Sequence, residues 1–318
     1  MQHSILNYIG NTPLVKLSKV TEGLEAEVWA KLEYFNPSGS LKDRIALRMI
    51  EDAEKAGILK PGMTIVEAST GNTATSLAFV GAVKGYKVVL YVPEGVTSEE
   101  RIRICKSYGA EVVSVDIKDE SVKEQHGVHG AIVELIPREV CLKKEQEDPN
   151  VWWARQFSNP SNALAHEETT GREIIQQTGG KLDVFVASIG TAGTLVGVAR
   201  ALDAHDPSIR VVAVEPKNSR TIKDGKPKVP IIEGLSGGLL LEVTEKKLAD
   251  EIVAVSDEDA IAMTHRLAEE EGLFCGVSSG ANVHVALQVA KKLGKGQRVV
   301  TILPDSRNRY MYVERYTT

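Results

Sequence analysis

Lys42 stands in an unusual place for a cation. In "NPSGSLKDRIALRMI", Asn36 to Ile50, and on to Ala53, the apolar residues Ile45, Ala46, Met49, Ile50 and Ala53 recur at helical spacing. Ser40 followed by Asp43 reads as a capping box for that helix. Lys42 then falls in the first turn, where unpaired N–H groups and the macrodipole already supply partial positive charge. An ammonium there is disfavoured by roughly 0.3–1 kcal/mol. Either the charge reaches water, as for most lysines, or the sequence holds an amine that gives up its proton and serves as nucleophile or base.

Three strand-to-helix loops carry further chemistry. "SIGTAGTLVGVARAL" runs from a strand ending at Ser188 into a helix near Gly193. Gly190 and Gly193 permit close backbone approach and Thr191 and Thr194 add hydroxyls at a helix N-terminus, which suits a phosphate; glycines that serve the turn alone are the alternative. A P-loop would need a Gly-Lys-Ser/Thr ending, which is absent. A dinucleotide fingerprint is out of register at Ala192, although Glu215 ends the next strand where a ribose-binding acid would sit. "EASTGNTATSLAF" sets Ser69, Thr70, Asn72 and Thr73 around Gly71, either a carboxylate cradle or an ordinary cap. "CGVSSGANVHVAL" places Ser278 and Ser279 before a third helix, where capping accounts for them equally.

These loops need parallel sheets behind them. From Met63 onward short β-branched runs alternate with amphipathic helices: "TIVEAS", "KVVLYVP" and "EVVSVD" in one series, then "LDVFVASIG", "IRVVAVEP" and "RVVTILPD" in another. That pattern gives an α/β chain of two doubly wound lobes with parallel sheets. No linker or repeat separates them, so they pack as one unit with a cleft between. Ligands bind beyond the carboxyl ends of such strands, so the loops converge on one crevice. A dianion cradle, a carboxylate cradle and a neutral lysine together fit an amino acid held on a phosphorylated aldehyde through a lysine Schiff base. The charged stretch from Ile117 to Asn150 reads as solvated helix faces and loops and receives no chemistry.

Composition bounds the partners. A formal net charge of −5 over 318 residues, without a basic tract, argues against nucleic acid. The longest apolar neighbourhood, "SLAFVGAVKGYKVVLYVP", is broken by Lys84 and Lys87, and "MQHSILNYIGNTP" lacks a signal-peptide design, so neither a membrane nor export is expected. Three scattered cysteines, Cys105, Cys141 and Cys275, lack metal or disulfide spacing and suit a reducing, cytoplasmic setting.

The motifs "NTPLVKL", "NPSGSLKDRIA", "STGNTA", "QFSNPSN", "GTAGT", "CGVSSGA" and "ILPDS" occur in an order that resembles the cysteine synthase and cystathionine β-synthase family of fold-type II pyridoxal 5′-phosphate enzymes. The resemblance covers nearly the whole chain and implies a tryptophan synthase β-like architecture, with the cofactor in the cleft. It implies a smaller mobile lobe over 45–150, and a larger lobe from 1–44 plus 151–318 that carries the phosphate site. By resemblance, Lys42 forms the Schiff base, Asn72 meets the ring hydroxyl, Gly190, Thr191, Ala192, Gly193 and Thr194 hold the phosphate, and Ser278 faces the pyridine nitrogen. Ser69, Thr70, Gly71, Thr73 and Gln156 match positions that bind the substrate carboxylate, and Gly234 lies near the substrate. A neutral serine at the pyridine nitrogen favours prompt loss of a β-substituent over a long-lived carbanion.

The implied activity is β-replacement on an activated L-serine, a transferase or lyase reaction of cysteine biosynthesis. Lys42 removes the α-proton, the β-substituent leaves, a thiol or sulfide adds, and Lys42 returns the proton. O-acetylserine with sulfide leads; serine with homocysteine, O-phosphoserine with sulfide, and serine dehydration follow. A nicotinamide-dependent oxidoreductase and a non-catalytic sensor are the readings from other classes. A homodimer is implied, as is closure of the smaller lobe over the carboxylate. Several features depart from the family pattern. Ala192 replaces a usual glycine while leaving its backbone donors in place. Leu235, Ser236 and Gly237 continue differently after Gly234, with Ser236 either at the nucleophile or in a turn. Arg220 reads as a solvated loop residue or as a contact for a phosphorylated donor. No haem-binding leader or C-terminal regulatory domain is seen, so regulation through them is not expected.

Overall fold

The computed structural model describes residues 4–95, 97–116, 132–217 and 248–313. Ten strands form two sheets among these residues. The larger contains β1 (Leu14–Lys16), β2 (Glu27–Leu32), β7 (Val184–Ser188), β8 (Arg210–Pro216), β9 (Glu251–Val255) and β10 (Arg298–Leu303), in the order β1-β2-β10-β7-β8-β9. The smaller contains β3 (Thr64–Ala68), β4 (Lys87–Pro93), β5 (Glu111–Val115) and β6 (Val151–Trp153), in the order β5-β4-β3-β6. Runs such as "VFVAS" and "RVVTIL" are almost wholly buried, because helices cover both sheet faces and leave no solvent side for alternating polar residues.

Helices α1 (Lys42–Lys55) and α2 (Asn72–Lys84) pack on one face of the smaller sheet. Ile45, Met49 and Ile50 of α1 are fully buried there, each worth about 1.5–3 kcal/mol of apolar burial. Helix α3 (Glu99–Ser107) follows β4, and α4 (Ile132–Glu147) covers the opposite face through the buried Cys141. Helices α5 (Pro160–Ala165), α6 (Arg172–Gln177) and α7 (Gly193–His205) lie toward one side of the larger sheet; a π-helical turn, His166–Gly171, joins the first two. Helices α8 (Asp257–Glu271) and α9 (Val277–Ala290) cover its other side. Helix α9 is buried over most of its surface, which is why its sequence is apolar nearly all round.

Four features differ from the sequence expectation. The larger sheet is not wholly parallel: β1 pairs antiparallel with β2, since the short link between them permits a hairpin and no crossover helix. The stretch before residue 150 does hold a helix, α4, but it is not solvated on every side: Cys141 is fully buried. The smaller sheet also extends past 150, because Val151–Trp153 pairs with β3. The capping box does not form: Asp43 turns back to accept from the Ser38 amide at 2.7 Å, the Ser38 hydroxyl, and Ser76 Oγ at 2.7 Å. Ser40 Oγ instead accepts from the Lys42 amide at 3.3 Å.

The start of α1 is tied to the larger sheet by a buried ion cluster. Arg44 chelates Glu33 at 2.7 and 2.9 Å and Glu173 at 2.7 and 2.8 Å, and Lys31 meets Glu173 at 2.7 Å. Bidentate pairs of this kind fix geometry as much as they add energy.

Candidate active site

Both sheets present loops at their switch points. In the larger sheet β10 and β7 are neighbours whose chains continue in opposite directions, so residues 189–192 and 304–306 emerge side by side. In the smaller sheet β3 and β6 are the corresponding pair, and the segments after them carry Ser69, Thr70 and Gly71, and Gln156.

Lys42 opens α1 directly after a turn that is braced from the C-terminal side. The Leu41 amide donates to Pro304 O at 2.9 Å, Ser40 bridges Asp305, and the Arg309 guanidinium donates to Ser38 O. Burial pushes the Lys42 amine down, and the Asp305 carboxylate pulls partly the other way, leaving it at about 8. Position in the first helical turn identified the residue; desolvation is the larger cause of its lowered basicity.

The phosphate-cradle residues sit together at the start of α7. Ala192 adopts a left-handed conformation (φ 66°), which costs a non-glycine residue about 1–2 kcal/mol, and it leads the chain directly into α7. The first N–H groups of that helix have no intrahelical acceptor and can face an anion. Gly193 is required by close approach: a Cβ there would lie 1.9 Å from Asn162 Oδ1. Asn162 Nδ2 donates to Thr191 Oγ1 at 3.0 Å and to Gln156 O at 2.7 Å, joining the two cradles. Thr194 Oγ1 lies 3.2 Å from His166 Nε2, whose Nδ1 is 2.9 Å from Thr170 Oγ1. His166 is buried and held well below its ordinary pKa by desolvation and then by Lys42 and Arg44, so it is a neutral ring.

The second loop is equally organised. Thr73 Oγ1 donates to Gln156 Oε1 at 2.5 Å, Gln156 Nε2 donates to Ala68 O at 3.2 Å, and Ser69 Oγ accepts from the Gly71 amide at 3.3 Å. Beneath them the buried Glu67 accepts from the Gln156 and Ala68 amides at 2.9 and 2.8 Å and from Trp153 Nε1 at 2.8 Å. Burial raises the pKa of Glu67.

Asn72 and Ser278 meet the same small region from opposite sheets. Asn72 Nδ2 donates to Asp305 Oδ2 at 2.6 Å, and the Tyr310 hydroxyl donates to that oxygen too. The Gly276 amide bonds Asp305 O at 2.9 Å, and Ser278 follows in the first turn of α9. Asp305 is 1% exposed, and its Oδ1 has no hydrogen-bond partner among the described residues.

This arrangement fits pyridoxal phosphate: an anion-facing helix start, a lysine of lowered pKa, and a buried polar cluster around Asn72, Ser278 and an oxygen that still lacks a donor. A family model described as pyridoxal-phosphate dependent enzyme matches residues 5–305. The chain belongs to that family. It is 44% identical over 315 residues to a cysteine synthase of Staphylococcus aureus, covering 99% of this chain and 97% of the relative. Among solved structures it is similar to cysteine synthase from Entamoeba histolytica, with TM-score 0.88, 36% identity, and 99% and 91% of the two chains covered. An O-ureido-L-serine synthase matches with TM-score 0.87, 37% identity, and 99% and 95% covered.

Family membership replaces the nicotinamide reading that Glu215 had kept open; Glu215 is buried in β8, 3% exposed. Gly234, Leu235, Ser236, Gly237 and Arg220 lie outside the described residues. Sequence reasoning did not assign Asp305, His166, Asn162 or Tyr310. Asp305 and Asn162 lie inside the recognised motifs "ILPDS" and "QFSNPSN", yet the Asn72–Asp305 contact spans 233 residues of sequence, which no local pattern exposes.

Proposed function

We propose that the protein is a cysteine synthase: it replaces the β-substituent of O-acetyl-L-serine with sulfide to give L-cysteine. The full-length 44% identity to a cysteine synthase carries this reading. Lys42, Asn72, Ser278 and the residues Gly190 to Thr194 hold the cofactor, and Ser69, Thr70, Gly71, Thr73 and Gln156 take the substrate carboxylate, with Gly234 assigned to the substrate side. Bound pyridoxal phosphate supplies an electron sink for the charge left at the substrate Cα.

The chain's own groups do the rest. Lys42 Nζ, neutral in an appreciable fraction near pH 8, takes the proton from Cα and later returns it there. Hydroxyl and amide donors of the second loop orient the carboxylate so that the Cα–H bond faces that amine. The smaller lobe closes on the bound amino acid and excludes water. The working form is a cytoplasmic homodimer without nucleic-acid or membrane partners.

Purified protein is expected to be yellow, and borohydride to fix the cofactor on Lys42; a colourless protein that pyridoxal phosphate does not restore would overturn the proposal. Lys42→Ala should lose turnover. Rates with O-acetylserine, O-phosphoserine or serine, each paired with sulfide or homocysteine, test the substrate assignment, and O-acetylserine with sulfide should be fastest.

A further inference from the structure

Arg101 on α3 takes no part in the chemistry above, yet it touches both sides of the cleft. Its Nη1 donates to Thr70 O at 3.2 Å, in the loop assigned to the carboxylate. Its guanidinium carbon lies 5.1 Å from the ring centroid of Tyr310 and 5.6 Å from that of Tyr312, on the segment that follows β10 of the larger sheet. Tyr310 in turn donates to Asp305, which accepts from Asn72.

The contact with Thr70 has a geometric consequence. A trans peptide is planar, with its carbonyl and the following N–H pointing in opposite directions. A guanidinium that holds the Thr70 carbonyl outward therefore turns the Gly71 N–H the other way, toward Ser69 Oγ, which accepts it at 3.3 Å. An anion cradle works only while its N–H groups face the anion. Glycine tolerates either orientation of the adjoining peptide, so an external group must select one.

We infer that Arg101 is a positioning residue for the carboxylate loop. It fixes the orientation of the Thr70–Gly71 peptide, with the Gly71 N–H held on the Ser69 side of the loop where a carboxylate can take it over from Ser69 Oγ, and its contacts with Tyr310 and Tyr312 tie that orientation to the larger sheet. The device selects amines that carry an α-carboxylate. This inference rests on the proposed role of residues 69–73.

The test uses holoenzyme and two probes read by the absorbance of the bound cofactor. L-Alanine has the α-carboxylate but no leaving group; propylamine has neither. Arg101→Ala should weaken L-alanine roughly tenfold, the scale of one charge-assisted hydrogen bond, and leave propylamine within about twofold. Tyr312→Ala alters a residue 41% exposed, so the fold is spared. It should weaken L-alanine by about two- to fivefold, as expected for an exposed cation–π contact. Unchanged L-alanine affinity in both variants overturns the inference, as does an equal loss for both probes, which would mark a merely structural role. Wild-type holoenzyme that responds to propylamine but not to L-alanine would overturn the carboxylate-loop assignment itself.

Discussion

At the residue scale, Lys42 and Asp305 form an electrostatic pair whose two influences oppose each other. Burial favours the neutral amine and Asp305 favours the ammonium, so the pH at which Lys42 becomes reactive is adjustable from one neighbour. The rate at which cofactor-free protein captures pyridoxal phosphate should rise with pH and level off above about 8, well below the range of an ordinary lysine. Asp305→Asn removes the opposing charge while keeping an acceptor for Asn72, and should move that inflection to lower pH. An unmoved inflection would separate Asp305 from Lys42.

His166 gives a stability prediction of definite sign. Its folded-state pKa lies below the ordinary 6.5, so below that pH the unfolded chain binds a proton the folded chain refuses. Its contribution is present above about pH 6.5 and is lost as pH falls, at up to about 1.4 kcal/mol per unit. Urea unfolding between pH 5 and 7 should show a flatter dependence for His166→Gln than for the wild type, whatever the variant's overall stability. Nothing in the local sequence marked this histidine: its neutrality comes first from burial and then from Lys42 and Arg44, which lie on a different helix.

At the scale of elements, the site depends on how closely α7 can approach Asn162. Gly193→Ala would drive a methyl into the Asn162 amide, breaking its bonds to Thr191 and Gln156 together. Retention of pyridoxal phosphate should fall at least tenfold, the cost of displacing a buried, hydrogen-bonded amide. Equilibrium dialysis of the holo-variant measures this directly.

Element boundaries were legible where periodicity and loop chemistry agreed: the helix expected near Gly193 begins there. The capping box at Ser40 and Asp43 had the right residues but the wrong partners, since Ser76 of α2 and the Ser38 turn compete for the same carboxylate. The buried side of α4 was obscured because charges dominate "LKKEQED", and the packing of Cys141 against β3 and β4 is a tertiary fact. β1 and β2 precede the first clear alternation of strand and helix, and the place of β2 beside β10 is set by pairing across the length of the chain.

On the scale of the whole molecule, α1 belongs to both halves. Arg44 fastens its first turn to Glu33 and Glu173, while Ile45, Met49 and Ile50 pack with the smaller sheet. If the smaller lobe closes as proposed, this double anchoring restrains its movement near Lys42. Solution scattering should show a smaller radius of gyration when L-alanine is added to holoenzyme, and hydrogen exchange should slow most around residues 69–73. If neither changes, the lobe does not close. No helix among the described residues is long and apolar enough to cross a membrane.

The three cysteines, all free, are also all buried. Burial pushes the thiols of Cys105, Cys141 and Cys275 up, that of Cys275 to about 12, so none is a ready thiolate near neutral pH. For a protein proposed to release a thiol, this has a practical result. The native chain itself should stay silent toward colorimetric thiol reagents, so a sulfide-free sample can be checked with such a reagent before an assay. Colour amounting to three thiols per chain would then report unfolding, and that reading would serve as a check on the enzyme's integrity.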